Sequence, residues 1–196
     1  MNECVNTTTS LLWCKGKTSL AGIRDKVYRI SKSDIVTWPT RDEANAGKYV
    51  GSFVLAAEAY WKQVDILSGK SSLKAEAQGE KPSKTMKITL EMVYPGVNED
   101  ANRVMSEALN GDEAYIVRDS EGRWRVIGNE MFQTDTTINQ DNGQGDTGTT
   151  GTTITATVTD LTAAPFYDGS IIVGYTTQGD PIDINPQDEP SGSGSN

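Results

Sequence analysis

Three glycines, Gly143, Gly145 and Gly148, have the G-x-G-x-x-G spacing of dinucleotide-binding loops. In such loops the glycines follow a strand and open a helix, whose first backbone N–H groups bind a phosphate. Residues 149–152 (Thr-Thr-Gly-Thr) follow here instead, and a run of this kind does not favour a helix. The spacing therefore predicts a turn, and we assign no cofactor to it.

A second stretch, residues 79–85 (Gly-Glu-Lys-Pro-Ser-Lys-Thr), has a weak similarity to a phosphate loop. It lacks the glycine that must precede the lysine, and Pro82 interrupts the pattern. We therefore exclude a nucleoside triphosphate site at this position.

Four side chains in one part of the chain carry oxygen atoms of the kind that binds calcium: Asp135, Asp141, Asn142 and Asp146. Their spacing matches neither an EF-hand loop nor a repeated nonapeptide, and no glutamate stands at the closing position. We interpret them as solvated loop residues and predict no metal site.

Glu76, Glu80 and Glu91 lie near predicted strands, and glycoside hydrolysis uses a pair of such carboxyl groups. That reaction depends on the distance between two carboxyl groups in space, which sequence spacing does not give. Because glutamate is mostly exposed in folded proteins, an exposed strand face is the better interpretation.

The chain has no histidine among its 196 residues. This excludes Ser-His-Asp and Cys-His nucleophiles, imidazole metal ligands and histidine proton shuttles. The 18 basic and 27 acidic residues give a net charge of −9, which disfavours tight binding to duplex DNA or to an anionic membrane. We therefore predict that the protein is not an enzyme.

The two cysteines, Cys4 and Cys14, are expected to be reduced thiols of a chain made in the cytoplasm. The N-terminus shows no signal-peptide pattern, and no window approaches about 18 consecutive apolar residues. We therefore expect no membrane partner.

Four tryptophans, Trp13, Trp38, Trp61 and Trp124, are scattered along the chain. A stacking platform for sugars or bases would need several of them on one surface. Packing in a core or a subunit interface is the better interpretation, because large aromatic side chains dominate both.

Apolar periodicity predicts the best-defined elements. Residues 84–94 alternate strictly between apolar and polar side chains, which predicts a long strand with one buried face. Residues 97–109 carry an apolar stripe at helical spacing after Asn98, a suitable N-cap. Residues 113–118 and 123–128 flank Asp-Ser-Glu-Gly and predict a β-hairpin.

The remaining segments give weaker signals. Residues 26–31 and 153–159 are β-branched or alternating and predict strands, whereas residues 49–67 fit a helix and a strand equally well. Residues 134–152 are rich in Thr, Gly, Asn and Asp, which predicts a long mobile loop or an open hairpin turn. Residues 163–175 supply a last apolar segment.

These elements predict a mainly β protein, an antiparallel β-sandwich or barrel with one flanking α-helix. The chain divides into an extended N-terminal arm (residues 1–24), the β-sandwich domain (25–175) and a C-terminal tail (176–196). The tail is predicted to be flexible, because its Gly, Pro, Asp, Ser and Asn residues offer little apolar surface to bury.

The order of elements resembles that of the tail tube (major tail) proteins of tailed bacteriophages. The resemblance covers about residues 25–175 and is one of pattern. It rests on a long strand ending Leu90-Glu91-Met92-Val93-Tyr94-Pro95-Gly96, a short helix, a hairpin with Tyr115-Ile116-Val117 and Trp124-Arg125-Val126-Ile127-Gly128, a Thr-rich strand, and Ala164-Pro165-Phe166-Tyr167.

The resemblance implies a structural virion protein, assembled in the host cytoplasm. Family members form hexameric rings whose inner strands join into a continuous β-barrel, and the rings stack into a tube through which DNA passes. The implied partners are further copies of the chain, other tail proteins and, transiently and without sequence specificity, DNA.

We predict that residues 71–94 line the lumen of such a tube and that Glu76, Glu80 and Glu91 are among its exposed acidic groups, which would repel DNA phosphates. Three other classes stay open, and the last of them is a hydrolase that uses two carboxylates. The first is a head-to-tail joining or tail-terminating protein that remains a single ring. The second is a monomeric β-sandwich that acts as a binding or adhesion module.

Overall fold

A computed structural model describes residue 11, residues 15–16, residues 18–145 and residues 148–184. Fifteen strands, two short 3₁₀ turns and one α-helix, α1 (Glu99–Ala108), make up the described structure. The strands are β1 (Ile23–Ser31), β2 (Ile35–Thr37), β3 (Thr40–Arg41), β4 (Lys48–Val50), β5 (Val54–Leu55), β6 (Lys62–Asp65), β7 (Ser72–Gln78), β8 (Thr85–Pro95), β9 (Glu113–Asp119), β10 (Trp124–Ile127), β11 (Thr134–Asp141), β12 (Gly151–Asp160), β13 (Phe166–Tyr167), β14 (Ile171–Tyr175) and β15 (Pro181–Ile184).

The strands form two main sheets and two small ones. The larger main sheet has seven strands in the order β3-β4-β13-β10-β9-β1-β6, and the smaller has four in the order β11-β12-β8-β7. The two-stranded sheets are β2–β5 and β14–β15. All strand pairs are antiparallel except β4–β13. The predicted class, a mainly β antiparallel sandwich with one flanking helix, is confirmed.

The first core lies between the two main sheets, which pack face to face. Its buried members come from both sheets and from the loops that join them: Ile23, Val27, Ile66, Ile88, Leu90, Met92, Tyr115, Val117, Ile127, Ile154, Ala156, Val158 and Ala164. On β8 and β12 only alternate residues are buried, as the alternating sequence predicts.

A second core covers the opposite face of the seven-stranded sheet, beneath the two small sheets. Its buried members are Tyr28, Ile30, Ile35, Tyr49, Phe53, Trp61, Ala114, Ile116, Trp124, Val126, Tyr167 and Ile171. The central strands of this sheet are therefore buried on both faces. This explains why residues 114–117 of β9 form a continuous apolar run, whereas β8 alternates.

Helix α1 packs beside the sandwich through Ala101 and Ala108, which are both buried. Asn98 is its N-cap, and the Asn98 side-chain oxygen accepts a hydrogen bond of 2.7 Å from the Ala101 backbone N–H. Glu99 and Asp100 occupy the first turn, where the helix dipole favours negative charge. The predicted helix and its N-cap are confirmed.

Replacing Asn98 by alanine is expected to lower the free energy of unfolding by about 1 kcal/mol, because the first turn loses its side-chain acceptor. Chemical denaturation of both proteins measures the difference. Asn98→Asp keeps an acceptor and is expected to stay within about 0.5 kcal/mol of the parent. Equal losses in the two variants would show that the cap does not carry the effect.

The structure resolves the open alternatives in the sequence. Residues 49–67 contain the strands β5 and β6 and no helix. Within residues 134–152 the mobile-loop alternative is wrong, because Thr134–Asp141 pairs along its whole length with β12. The hairpin alternative is confirmed, with longer strands than the sequence predicts.

The predicted domain boundaries need one correction. Pro181–Ile184 forms β15 and pairs with β14, so the prediction of a flexible tail is wrong for this segment. The Asp183 carboxylate accepts a hydrogen bond of 2.8 Å from the Ile171 backbone N–H, which ties β15 to the second core. Residues 185–196 lie outside the described residues, as do Cys4, Cys14 and most of the predicted N-terminal arm.

Candidate functional site, an open four-stranded sheet

The four-stranded sheet presents one face to the first core and the other to solvent. Seven threonines lie on the outward face: Thr85, Thr89, Thr137, Thr153, Thr155, Thr157 and Thr159. Side chains alternate between the two faces along β8, β11 and β12. The inward positions hold the buried residues, so the threonines at the intervening positions point outward. The result is a broad polar surface of hydroxyl groups.

Charged side chains of both signs lie among these threonines. The outward positions hold four carboxylates, Glu76, Glu91, Asp135 and Asp141, and two ammonium groups, Lys74 and Lys87. Glu76 stands directly opposite Lys87 on the neighbouring strand. The outward face therefore carries a net charge of −2, the balance of those four carboxylates and two ammonium groups.

The three glutamates singled out in the sequence are only partly brought together. Glu76 on β7 and Glu91 on β8 lie on the same outward face of adjacent strands. Glu80 lies in the turn between β7 and β8, at the end of the sheet rather than on its face. The Glu76 and Glu91 positions are four residues apart along the ladder, since Glu76 pairs with Lys87 and Glu91 pairs with Ser72.

The two outer edges of this sheet are long and regular. The strand β7 (SLKAEAQ) and the strand β11 (TDTTINQD) contain no proline, and their pairings run without a register shift. In the described part of the chain, each pairs with one strand only, β8 or β12. Exposed edges of this kind are templates for pairing with another chain.

The seven-stranded sheet, in contrast, has a short strand at each of its edges. Its outermost strands are β3, with two residues, and β6, with four. Short edge strands are one of the devices by which proteins prevent unwanted edge pairing. In the described chain the edge strands of the four-stranded sheet have seven and eight residues, so neither of its edges is shortened in this way.

The backbone donors on the open edges can be assigned from two hydrogen bonds. The Thr134 N–H points away from β12, since it donates to the Asp112 carboxylate at 2.9 Å. By the alternation of an antiparallel ladder, the N–H groups of Thr136, Ile138 and Gln140 also point outward from β11.

The same reasoning applies to β7. The Val93 N–H of β8 points toward the β7 side, since it donates to the Ser71 hydroxyl at 3.0 Å. The N–H groups of Leu73, Ala75 and Ala77 therefore point outward from β7.

A buried polar network fixes the position of β11 against the seven-stranded sheet. Arg29 on β1 and Glu113 on β9 are each 5% exposed and form an ion pair of 2.5 Å. The Tyr115 hydroxyl donates to the second oxygen of Glu113 at 2.9 Å and lies 3.3 Å from the Thr136 hydroxyl of β11. Burial raises the pKa of Tyr115 well above its usual value, so it stays a neutral donor.

The glycine motif of the sequence lies in a turn at one end of this sheet, and two of the four candidate calcium ligands lie on its outward face. Gly143 and Gly145 have positive φ angles of 75° and 62°, in the turn between β11 and β12. The next element of the described chain is the strand β12, in agreement with the predicted turn. Asp135 and Asp141 are on β11, Asn142 follows it, and Asp146 lies outside the described residues.

Three of the four tryptophans belong to the second core. Trp61 and Trp124 are buried, and Trp38 packs against the same cluster, where its ring centroid lies 5.3 Å from that of Phe53. The prediction of core packing is confirmed for Trp61 and Trp124. Trp13 lies outside the described residues.

Residues 71–94, the predicted lumen-lining segment, form only half of the open sheet. The strands β11 and β12 contribute the other two strands and most of the threonines. The signal available in the sequence was the β-branched run Thr136-Thr137-Ile138, which favours a strand over a loop.

Over the described ranges, the structure has no group of three or more Cys, Asp or Glu side chains arranged to hold a metal ion. Within the same residues, no helix is long and apolar enough to cross a membrane. The fold and this surface thus define a β-sandwich protein with a polar four-stranded sheet whose two outer strands each pair with one strand among the described residues. Comparisons with protein-family models, curated proteins and solved structures found no match to this chain.

Proposed function

We propose that this chain is a structural virion protein that assembles into hexameric rings stacked as the tail tube of a bacteriophage, a conduit for DNA with an acidic lumen. One observation carries the proposal. The four-stranded sheet has two long, regular, open edges, and the same molecule protects the edges of its other main sheet. Edge-to-edge joining of these sheets in a closed ring would leave no edge unpaired.

The dimensions of such a barrel agree with passage of DNA. Four strands from each of six copies, spaced about 4.8 Å apart and tilted by 35–45°, give a backbone diameter of about 45–50 Å. This leaves room for a duplex after the side chains are added. In this arrangement the polar face of the sheet lines the lumen, and the apolar face stays in the first core.

The composition of the outward face supports a surface that DNA does not adhere to. The face has an excess of two carboxylates per copy, and its neutral positions are mostly threonines that bind water. Lys87 stands opposite Glu76, and Lys74 is the next outward residue to Glu76 on β7. A carboxylate therefore lies beside each ammonium group, and neither belongs to a continuous basic patch. A weakly negative, hydrated wall repels phosphates without a strong local field.

Negative-stain electron microscopy of the purified protein, with light scattering across a concentration series, tests the proposal. We expect hollow tubes or stacked rings, and a scattering mass that grows with concentration. A single discrete ring would instead favour the joining or terminating role, because that role uses the same edge contacts without stacking. A monodisperse monomer at every concentration would contradict ring formation and favour the binding-module alternative.

A further inference from the structure

We propose that the ring junction is an antiparallel pairing of β7 of one copy with β11 of the next, in a register that places Glu76 opposite Thr137. This inference rests on the proposed function and adds the contact by which the copies recognise each other. It follows from four properties of the four-stranded sheet: strand direction, donor pattern, stagger and side-chain fit.

Strand direction is the first property. Neighbouring strands alternate in direction across β11, β12, β8 and β7, since each of the three pairings is antiparallel. The strands β7 and β11 therefore run in opposite directions. Rotation about a ring axis preserves the direction of each strand along that axis, so β7 of one copy meets β11 of the next in antiparallel orientation.

The donor pattern is the second property. The outward N–H groups belong to Leu73, Ala75 and Ala77 on β7, and to Thr136, Ile138 and Gln140 on β11. All six side chains face the core side of the sheet. A register that pairs core-side residues with core-side residues thus brings donors opposite acceptors and also keeps the threonine face continuous.

Stagger is the third property, and it selects among the registers that satisfy the second. Ala75 pairs with Ile88, Ile88 pairs with Val158, and Val158 pairs with Thr134. Ala75 and Thr134 therefore lie at the same level of the sheet. From that level β11 extends in one direction only, because Thr134 is its first residue. The strand β7 has three residues on each side of Ala75. All seven residues of β7 find partners on β11 only when Ala75 is shifted by four positions, to stand opposite Ile138.

The same shift gives a barrel of ordinary geometry. Four residues of about 3.3 Å, displaced over four strands of about 4.8 Å, correspond to a strand tilt of about 35°. A shift of two residues would lower the tilt to about 19°, outside the usual range of barrels. That smaller shift would also require the Thr134 N–H, which already donates to Asp112.

Side-chain fit is the fourth property. In the proposed register Ala75, which is exposed in the single copy, is covered by the half-buried Ile138 of the next copy. On the outward face Lys74 stands opposite Asn139, and Glu76 stands opposite Thr137. No two like charges are placed directly opposite each other across the junction.

Disulfide cross-linking tests the register. In a Cys4→Ser, Cys14→Ser background, Glu76→Cys is combined with Thr137→Cys. The proposed pair is a non-hydrogen-bonded one, with Cα atoms about 4.5 Å apart, which is within the range of a disulfide. Oxidation of assembled protein is expected to give a ladder of covalent oligomers on a non-reducing gel, ending at the closed ring.

Two matched variants report the competing registers. Glu76→Cys with Asp135→Cys tests the shift of two residues, and Glu76→Cys with Asn139→Cys tests the shift of six. Both are expected to cross-link at least about tenfold less than the Thr137 pair. If either control cross-links better while rings are present by electron microscopy, the register is wrong and the proposed function stands. If the cysteine-free parent forms no rings, both proposals are overturned.

Discussion

Replacing Arg29 by alanine is expected to lower the free energy of unfolding by about 3–5 kcal/mol. Arg29 is 5% exposed, and its guanidinium contacts two carboxylates, Glu113 at 2.5 Å and Glu107 at 2.7 Å. Its removal leaves Glu113, also 5% exposed, as a buried charge without its cation. Such a group is costly, because the interior does not solvate it as water does.

The measurement is chemical denaturation followed by circular dichroism, with Arg103→Ala as the matched control. Arg103 forms an ion pair with Asp100 at 3.4 Å, but both side chains are more than 70% exposed. Water screens this pair, so its loss is expected to change stability by less than about 1 kcal/mol. Similar effects in the two variants would show that the buried network contributes no special stability.

Proline at Ala75 is expected to abolish assembly and leave the single copy folded. The Ala75 N–H points outward from β7, so proline removes no hydrogen bond within the four-stranded sheet. It does remove a donor from the edge and places a ring where the next copy would pair. We expect the concentration needed for assembly to rise at least about 100-fold, since several hydrogen bonds of about 1 kcal/mol each and their packing are lost.

Light scattering measures the assembly of this variant, and thermal unfolding shows whether the single copy is intact. Ala75→Ser keeps the N–H and is expected to assemble like the parent. Ile138→Pro places the same block on β11 and serves as a second test, should Ala75→Pro fold poorly. Normal assembly of a folded proline variant on either edge would contradict the edge-to-edge junction.

Local patterns determined the elements that the sequence predicts well. The strict alternation of residues 84–94 gave β8, and the apolar stripe after Asn98 gave α1 with its cap. The hairpin β9–β10 follows from a turn whose Gly122 has a φ of 91°. These signals are short-range, because one element with one buried face imposes its own period on the sequence.

The same alternation accounts for what was predictable about the candidate site. It places Glu76 and Glu91 on one face of two adjacent strands, as the pattern of β7 and β8 implies. It does not reveal that β11 and β12 complete the same sheet. The Thr- and Asn-rich composition of β11 is also that of a loop, and only its pairing with β12 makes it a strand.

By itself the sequence determined the class of fold, the absence of histidine chemistry and the acidic charge of the chain. The tertiary structure alone decided which sheet has open edges, which strands are buried on both faces, and that Arg29 meets Glu113 at a separation of 84 residues. The physical reason is the range of the interactions. Periodicity records burial on one element, whereas strand order, edge exposure and ion pairing depend on contacts between segments distant in the chain.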